Sequence, residues 1–594
     1  MNEPRSEGTK RVVILQTDEQ ASHYEEYKRQ EGDLVIPIGP EAMYKAQRNG
    51  WVTCNLGELW SSQDYEQARD ESQARIDGLI TVLDAYSREQ NPDLNLEMGH
   101  YYAFQLWVII GQIHYNYFIA YSIARHLQPI GMLVYTKDIG QPFLELRPDP
   151  DCIFADVLLR SGCFKVEYIE TQRISEKRRG NTATERIVNA LPQTLLARLR
   201  ELRSKWRILN FRKSTYRLLM IGGGYDWFKV SRYEAFRRIF SLHTLPRPRP
   251  MTKIDTNPPA ELVDILSNSI AYEGNAAYDL RSLAAAIQTD MVLFIERKGE
   301  IKNQLKRFDA VVTAVLSYPW ENYVAHTAAK ISIPVIVWQH GEKGQAQDVT
   351  GLYTELFYAT DYLTYAPSVQ KRYQSWIGKN SLANVEAVGS IVKNVVWHGG
   401  ETIVYATGKW FKTATPFVPK PDPDGRLFAA HRAILEYLDI VAVERPVILK
   451  ANNTSGLNSI PYQFKNVRID YTTPFTMLLE TASMIILDTP ATTLVEACST
   501  RVPIFVLGGR TEYLPDFLEK IKRRVVWCEN PEELVIKTDL YLRTGLYEAD
   551  VNDDAYRREY CAAAESSEVI LNVKQSLIKA MERSGMQTTD NYLV

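Results

Sequence analysis

The sequence predicts an α/β protein of two parallel-sheet domains, on three observations. Met484 to Gly509 (MIILDTPATTLVEACSTRVPIFVLGG) reads as strand, tight turn, helix, short loop and strand. The chain also opens as β-α-β, with Arg11 to Asp18 and Asp33 to Gly39 as strands around a helical pattern and Gly39-Pro40 as the turn that follows. Between these regions, Phe308 to Val315, Ile333 to Trp338 and Asp361 to Tyr365 read as short strands separated by helical patterns, with Ile333 to Trp338 apolar throughout. Runs that are apolar throughout, rather than alternating, suit strands covered on both faces, and their alternation with helices points to parallel sheets. The expected organisation is two Rossmann-like domains, residues 1–395 and 396–594. The first is enlarged by a basic helical insert at about 171–217.

Composition bounds the function. A chain of 594 residues forms at least two domains, and 45% apolar with 24% charged residues is ordinary for a globular protein. A formal net charge of −3 argues against general nucleic-acid binding. Cys54, Cys152, Cys163, Cys498, Cys528 and Cys561 form no C-x-x-C pair, which fits a reducing cytoplasm and gives no zinc signature. The polar start MNEPRSEGTK has no apolar h-region, so no secretory signal is expected. Tyr101 to Ala124 is apolar but interrupted by Gln105, Gln112, His114, Asn116 and Ser122, so it reads as a buried helix rather than a membrane span. The 34 tyrosines and 11 tryptophans suit stacking on sugars and suit cores equally well.

In chain order, Ser62 to Ser87 and Leu96 to His126 carry helical patterns. Gly131 to Thr136 and Cys152 to Leu159 fit either a strand or a short helix. From Thr171 to Arg217 many arginines and lysines interleave with Leu191, Leu195, Leu199, Leu202 and Trp206 at helical spacing. Such a helix can lie on anionic lipid, or simply be a solvated surface helix. Leu218 to Gly224 is a strand entering a glycine turn, with Asp226 just beyond it where a functional group can sit. Pro319-Trp320-Glu321 opens a helix running through Ala329, and Val385 to Gly389 closes a further β-α-β. Thr402 to Ala406, Pro446 to Lys450, Val467 to Asp470 and Arg524 to Trp527 are the remaining strands of the second half.

Two stretches carry candidate chemistry. In the first, Asp488 ends a strand, Pro490 sets a turn, and Thr492 or Thr493 can cap the next helix with Glu496 in its first turn. Free backbone N–H groups and hydroxyls at the carboxyl end of a parallel sheet are where a nucleotide phosphate binds. The second is Gln339-His340-Gly341-Glu342-Lys343-Gly344, directly after a strand. An imidazole there can act as general base on an acceptor hydroxyl near neutral pH, with Glu342 as an alternative carboxylate. Asp18 and Glu19 follow the first strand and, with Asp226, are candidates for binding the acceptor. His326 and His398 are secondary candidates, and no histidine pair has metal-ligand spacing.

The segment D-x-P-x-T-x-x-x-E-A followed by a Pro-apolar strand resembles the donor site of GT-B glycosyltransferases. It is similar above all to bacterial surface-polysaccharide enzymes and to the related CDP-glycerol glycerophosphotransferases. His340-Gly341 matches the His-Gly motif of that family, and the strand ending in Gly389 matches the region joining its two halves. The resemblance implies that Thr489, Thr492 and Thr493 contact the donor phosphate, that Glu496 holds the ribose, that Lys450 and Gly389 complete the donor-binding set, and that His340 is catalytic. It further implies a nucleotide-sugar donor, a glycan or lipid-linked acceptor, no metal and no cofactor. The expected location is the cytoplasm, with possible peripheral contact at the inner face of the membrane. The family's Lys/Arg-x-His-Pro element is replaced by Leu449-Lys450-Ala451-Asn452-Asn453, which leaves Lys450 for the phosphate and puts CMP or CDP in doubt. A polyol-phosphate transferase, a sugar-nucleotide 2-epimerase and a non-enzymatic scaffold stay open as alternatives.

Overall fold

The structure is a computed structural model. It describes residues 11–59, 62–136, 166–170, 214–245, 247–248, 257–269, 280–341, 355–380, 383–391, 395–408, 423–451, 464–508, 513–561 and 566–585. Among these, the chain is α/β with parallel strand pairing throughout three sheets. Two of the three sheets lie within residues 1–395.

The first sheet has the order β2-β1-β3-β4, with β1 Val12–Leu15, β2 Leu34–Pro37, β3 Met132–Thr136 and β4 Val166–Glu170. Gly131 to Thr136, ambiguous in sequence, is thus a strand; Cys152 to Leu159 lies outside the described residues. Thr17 starts helix α1 (Asp18–His23) by accepting the N–H of Gln20 with its side chain. After β2 come α2 (Pro40–Arg48) and a long helical excursion: α3 (Ser62–Gln90), α4 (Met98–Tyr101) and α5 (Ala103–Leu127). The single helix expected from Leu96 to His126 is broken at Tyr102, whose φ −93°, ψ 2° leaves helical geometry. Among the described residues, no helix is long and apolar enough to cross a membrane.

The second sheet has the order β10-β9-β8-β7-β5-β6. Its strands are β5 Tyr216–Met220, β6 Phe240–Thr244, β7 Ala310–Thr313, β8 Val335–Trp338, β9 Asp361–Thr364 and β10 Asn384–Ala387. The helices used below are α6 (Tyr225–Val230), α7 (Arg281–Leu305), α8 (Pro319–Lys330) and α9 (Pro367–Asn380). Every residue of β7, β8 and β9 is buried, as strands covered on both faces require. The basic insert falls outside the described residues up to 213, and Arg217, read as its last member, lies in β5 with its N–H bonded to Asp309 at 2.5 Å. The strand wins there because Leu218 to Met220 are needed in the core, while Arg217 points outward.

The third sheet has the order β13-β12-β11-β14-β15-β16. Its strands are β11 Thr402–Ala406, β12 Val447–Lys450, β13 Arg468–Asp470, β14 Ala482–Leu487, β15 Ile504–Leu507 and β16 Val526–Cys528. Helices α10 (Pro423–Val441), α11 (Thr492–Ala497) and α12 (Pro531–Thr544) belong to it. Asn530 caps α12 by accepting the N–H of Glu533 at 2.8 Å, and Pro531 follows at the first helical position. The final described helix, α13 (Ser566–Arg583), crosses back to the second sheet. There Val569, Val573, Leu577 and Met581 share a core with Leu218, Val312 and Ile336. Lys579 and Ser576 each reach Glu386 of β10 at 2.7 Å, and Arg583 pairs with Asp361 of β9.

The largest apolar cluster draws on all three sheets, with Ile14, Val335 and Leu487 among its members. The first sheet also touches the third through α2: Met43 enters the third sheet's core, and Gln47 accepts a hydrogen bond from Arg432.

Candidate functional site

The third sheet counts, in order of appearance, as 3-2-1-4-5-6, so its direction of winding reverses between β11 and β14. Ligands of open α/β sheets bind in the crevice beyond the carboxyl ends of the strands at such a reversal. The Asp488–Glu496 segment leaves β14 at that point. Asp488 itself is fully buried and holds the two flanking strands together. It accepts the Tyr405 phenol of β11 at 3.0 Å and the Gly408 N–H at 2.5 Å. Thr492 and Thr493 do not cap α11 as the sequence suggested. Ala491 is the capping residue and no side chain caps the helix. The extended backbone of Ala491 starts the helix one residue early, which turns the Thr492 side chain to the surface.

Glu496 is largely buried in α11, and no described residue donates a hydrogen bond to its carboxylate. Burial raises its pKa, opposed by the positive charge of Lys229, which belongs to α6 beside the second sheet. Lys450 ends β12, two strands from β14, or about 10 Å away at ~4.8 Å per strand. Its ammonium lies 4.0 Å from Asp470, and burial lowers its pKa while Asp470 opposes the shift. Asp470 in turn accepts the N–H groups of Thr472 and Thr473. Thr489 is half-buried just beyond Asp488.

The second sheet contributes the facing wall. Gln339, buried just past β8, clamps its loop with both ends of its amide. Its Oε1 accepts the Tyr365 N–H at 2.8 Å, and its Nε2 donates to the Gly341 carbonyl at 2.9 Å. His340 is held half-exposed between them. Gly341 adopts φ +72°, where a side chain is strained, and a Cβ built on it would stand 3.7 Å from Thr492 Oγ1. The loop after β8 and the start of α11 therefore face each other across the gap between the two sheets.

Asp226 is buried behind this loop. It accepts the Tyr365 phenol at 2.7 Å and the Lys229 ammonium at 2.6 Å, and Lys229 also donates to the Ile391 carbonyl at 3.2 Å. Burial, then the Asp226 carboxylate, push the Tyr365 phenol well above its usual pKa; the backbone of Gly341 opposes the shift. Asp226 is thus tied into the scaffold of the His340 loop, and Lys229 links that scaffold to Glu496.

The structure brings His340, Gly341, Thr492, Glu496 and Asp226 to one interface. Asp18 and Glu19 stand elsewhere, exposed at the carboxyl edge of the first sheet. There the Asp18 N–H bonds Glu41 at 3.2 Å and its carboxylate lies 3.8 Å from Lys45. Gly389 sits past β10, and its carbonyl accepts the Trp338 indole N–H at 3.3 Å. Glu342, Lys343 and Gly344 lie outside the described residues, as do Asn452 and Asn453. His326 is occupied by the Tyr101 phenol at 2.7 Å, with burial lowering its pKa to about 4. The His398 N–H bonds the Glu480 carbonyl. Among the described residues, no group of three or more His, Cys, Asp and Glu is arranged to hold a metal ion.

Lys229 and Tyr365 escaped the sequence reading as site residues, and Gln339 was read only as part of the His340 stretch. Lys229 stands three residues after Asp226, a helical spacing that brings two side chains together, so that pair carried a signal. Tyr365 carried none, because its contact with Asp226 spans 139 positions.

No family model and no curated protein matches the chain. Among solved structures, similarity is found to Medicago truncatula UGT71G1 complexed with UDP-glucose, with 10% identity, 62% of this chain and 99% of that one covered, and a TM-score of 0.37. It is also found to Arabidopsis thaliana UGT89C1 complexed with UDP, with 13% identity, coverage of 64% and 95%, and a TM-score of 0.36. A glycosyltransferase from Rickettsia africae matches with 11% identity, coverage of 62% and 98%, and a TM-score of 0.34. Scores this far under 0.5 carry no argument about fold or activity. The α/β architecture stands on the sheet orders and strand directions described above.

Proposed function

We propose that this protein is a glycosyltransferase of GT-B type, moving a sugar from a nucleotide-activated donor to a glycan or lipid-linked acceptor in the making of cell-surface polysaccharide. The observation that supports this most is the meeting of two edges. The motif segment Asp488–Glu496 leaves the third sheet at its winding reversal, and the His340-Gly341 loop of the second sheet faces it. In this reading Thr489, Thr492 and Thr493 contact the donor phosphates, Glu496 takes the ribose hydroxyls, and Lys450 supplies charge farther along the edge. The absence of a hydrogen-bond donor to Glu496 among the described residues supports its role, since a carboxylate kept from water is ready for a ligand's hydroxyls.

His340 acts as the base. As the acceptor oxygen bonds to the anomeric carbon, its proton passes to the imidazole. The bond from the anomeric carbon to the phosphate oxygen breaks, and the nucleotide leaves carrying that electron pair. Glu342, two residues further along the chain, is the alternative proton acceptor. Gly389 closes the second sheet's edge. Asp226 holds the His340 loop in place rather than binding the acceptor, while Asp18 and Glu19 belong to a separate sheet edge with no contact described to either wall. The protein would work in the cytoplasm at the inner face of the membrane, with the basic segment around 171–217 as the element to test for lipid contact.

The experiment is a thermal-shift panel of UDP, GDP, dTDP, CDP and CMP on the full chain. A ligand at a hundredfold over its Kd adds about 2.7 kcal/mol to stability. Stabilisation by UDP, GDP or dTDP supports a sugar donor, whereas stabilisation by CDP alone moves the reading to a polyol-phosphate transferase. No shift with any of them overturns the proposal.

A further inference from the structure

The second sheet has a winding reversal of its own. In order of appearance it counts as 2-1-3-4-5-6 from the β6 edge, so the reversal lies between β5 and β7. The loops that leave these strands are Gly222-Gly223-Gly224 and Val315 to Tyr318. They are pinned together by the Ala314 N–H, which donates to the Gly223 carbonyl at 3.0 Å. Gly222 adopts φ +61°, and a Cβ built there would lie 2.6 Å from the Val315 carbonyl oxygen and 3.0 Å from Glu321 Oε2. Only glycine lets the two loops approach this closely.

Two side chains lie against this turn, and Tyr318 follows in the facing loop. Glu321 of α8 lies against Gly222. Its Oε2 accepts the N–H groups of Ser317 at 3.2 Å and Tyr318 at 3.3 Å, while its Oε1 makes no hydrogen bond with a described residue. Phe228 covers the other end of the turn, its ring 2.3 Å from where a Cβ on Gly224 would stand, yet the residue is 44% exposed. Tyr318, beside Glu321, is 48% exposed. A carboxylate with one oxygen to spare at one end of a side-chain-free turn, and an exposed aromatic ring at the other end, match what a sugar ring offers. Its C–H faces stack on aromatic rings, and its hydroxyls seek a carboxylate.

We infer that the crevice between β5 and β7 binds a carbohydrate ring, with Phe228 and Tyr318 as apolar platforms and Glu321 Oε1 as the partner of a sugar hydroxyl. Resting on the glycosyltransferase reading, this makes the acceptor a glycan that is held by its sugar. Burial pushes the Glu321 carboxyl up to about 7, against the two backbone N–H groups of Tyr318 and Ser317. Near neutral pH the group can therefore either accept a hydrogen bond from a hydroxyl or donate one.

The test is saturation-transfer NMR on the full chain, with methyl β-D-glucopyranoside and N-acetyl-D-glucosamine as probes and glycerol as the non-ring control, in the presence of UDP. The expected result is transfer to the ring protons of at least one sugar and none to glycerol. Phe228→Ala and Tyr318→Ala should each lose most of that signal. Glu321→Gln, which can still accept both N–H groups, should raise the sugar's Kd about tenfold, the ratio that accompanies ~1.4 kcal/mol. No transfer to either sugar, or equal transfer in all three variants, overturns the inference. The nucleotide shift measured on the same samples separates the two ideas. Nucleotide binding without sugar binding sinks this site alone, and sugar binding without nucleotide binding sinks the donor reading alone.

Discussion

The carboxyl edges of the second and third sheets face each other and are built on different plans. At the third edge the acids nearest the strand ends are used up locally. Asp488 joins β11 to β14, and Asp470 holds the backbone of Thr472 and Thr473 and faces Lys450. Groups that remain for a ligand come from one contiguous stretch, Thr489 to Glu496. At the second edge each group arrives from a different strand: Asp226 after β5, Glu321 after β7, His340 after β8 and Tyr365 after β9. Asp226, Tyr365 and the His340 loop are assembled by hydrogen bonds through Gln339 and Gly341, while Glu321 is held separately by the Ser317 and Tyr318 N–H groups. A site from one segment can be borrowed whole by any sheet of this kind, whereas a site from four strand ends depends on the exact packing of one sheet. On the proposed glycosyltransferase reading, the third edge suits a common task such as holding a nucleotide, and the second suits the chemistry and acceptor particular to one protein.

The sharpest way to break this division is at His340. A general base supplies roughly 10²–10⁴-fold in rate. Once the nucleotide panel has identified a donor, His340→Ala should slow turnover by that factor while nucleotide affinity, measured by calorimetry, stays close to wild type. If Glu342→Gln is inactive and His340→Ala is not, the proton goes to Glu342. Loss of nucleotide binding in His340→Ala would erase the separation between the two edges.

A second prediction uses the pH dependence of Glu321. Its folded-state pKa, about 7, lies above the unfolded value near 4.5, because burial favours the protonated form. Below the unfolded value both states carry the proton and nothing is lost. As pH rises through the window from about 4.5 to 7 the unfolded chain ionises first, so stability falls, and above it the loss is constant. At about 1.4 kcal/mol per unit, the total is on the order of 3 kcal/mol. Urea denaturation of wild type and Glu321→Gln across that window should show the wild type losing stability relative to the variant. Parallel curves would mean that Glu321 is as hydrated as an ordinary surface acid.

The smallest effect belongs to the third edge. Glu496→Ala should weaken nucleotide binding by roughly 1.5–3 kcal/mol, the range for hydrogen bonds to a charged group. Calorimetry would read this as a rise in Kd with the melting temperature of the free protein preserved. An unchanged Kd would remove Glu496 from the ribose and leave its carboxylate answering only to Lys229.

Much of this was legible in the sequence where local physics decides. β8 (VIVW) and β15 (IFVL) are apolar throughout, β7, β9 and β14 are apolar but for one or two residues, and each of the five was found. β4 (VEYIE) and β6 (FSLHT) mix polar with apolar residues, and nothing short-range marks them as strands; pairing with β3 and β5 makes them so. The presence of a separate first sheet was hidden for the same reason, since strand partners are chosen across long separations. At the site, the contiguous Asp488–Glu496 segment was readable. The Lys229–Glu496 proximity spans two sheets and was not. The cap assigned to Thr492 or Thr493 failed because a Thr at a helix start has the right chemistry at either of two neighbouring positions, and backbone geometry alone selected Ala491.

The return of α13 to the second sheet sets an order of events during synthesis. About 180 residues separate Ala387, the last residue of β10, from Ser566, where α13 begins. At ~5–20 residues per second, the ribosome needs about 10–40 s to span them. For that interval the face of the second sheet that later receives Val569, Val573, Leu577 and Met581 is uncovered, while the whole third sheet emerges beside it. The nascent chain therefore carries an open apolar surface through most of the making of its second half, and α13 is the element that ends its exposure.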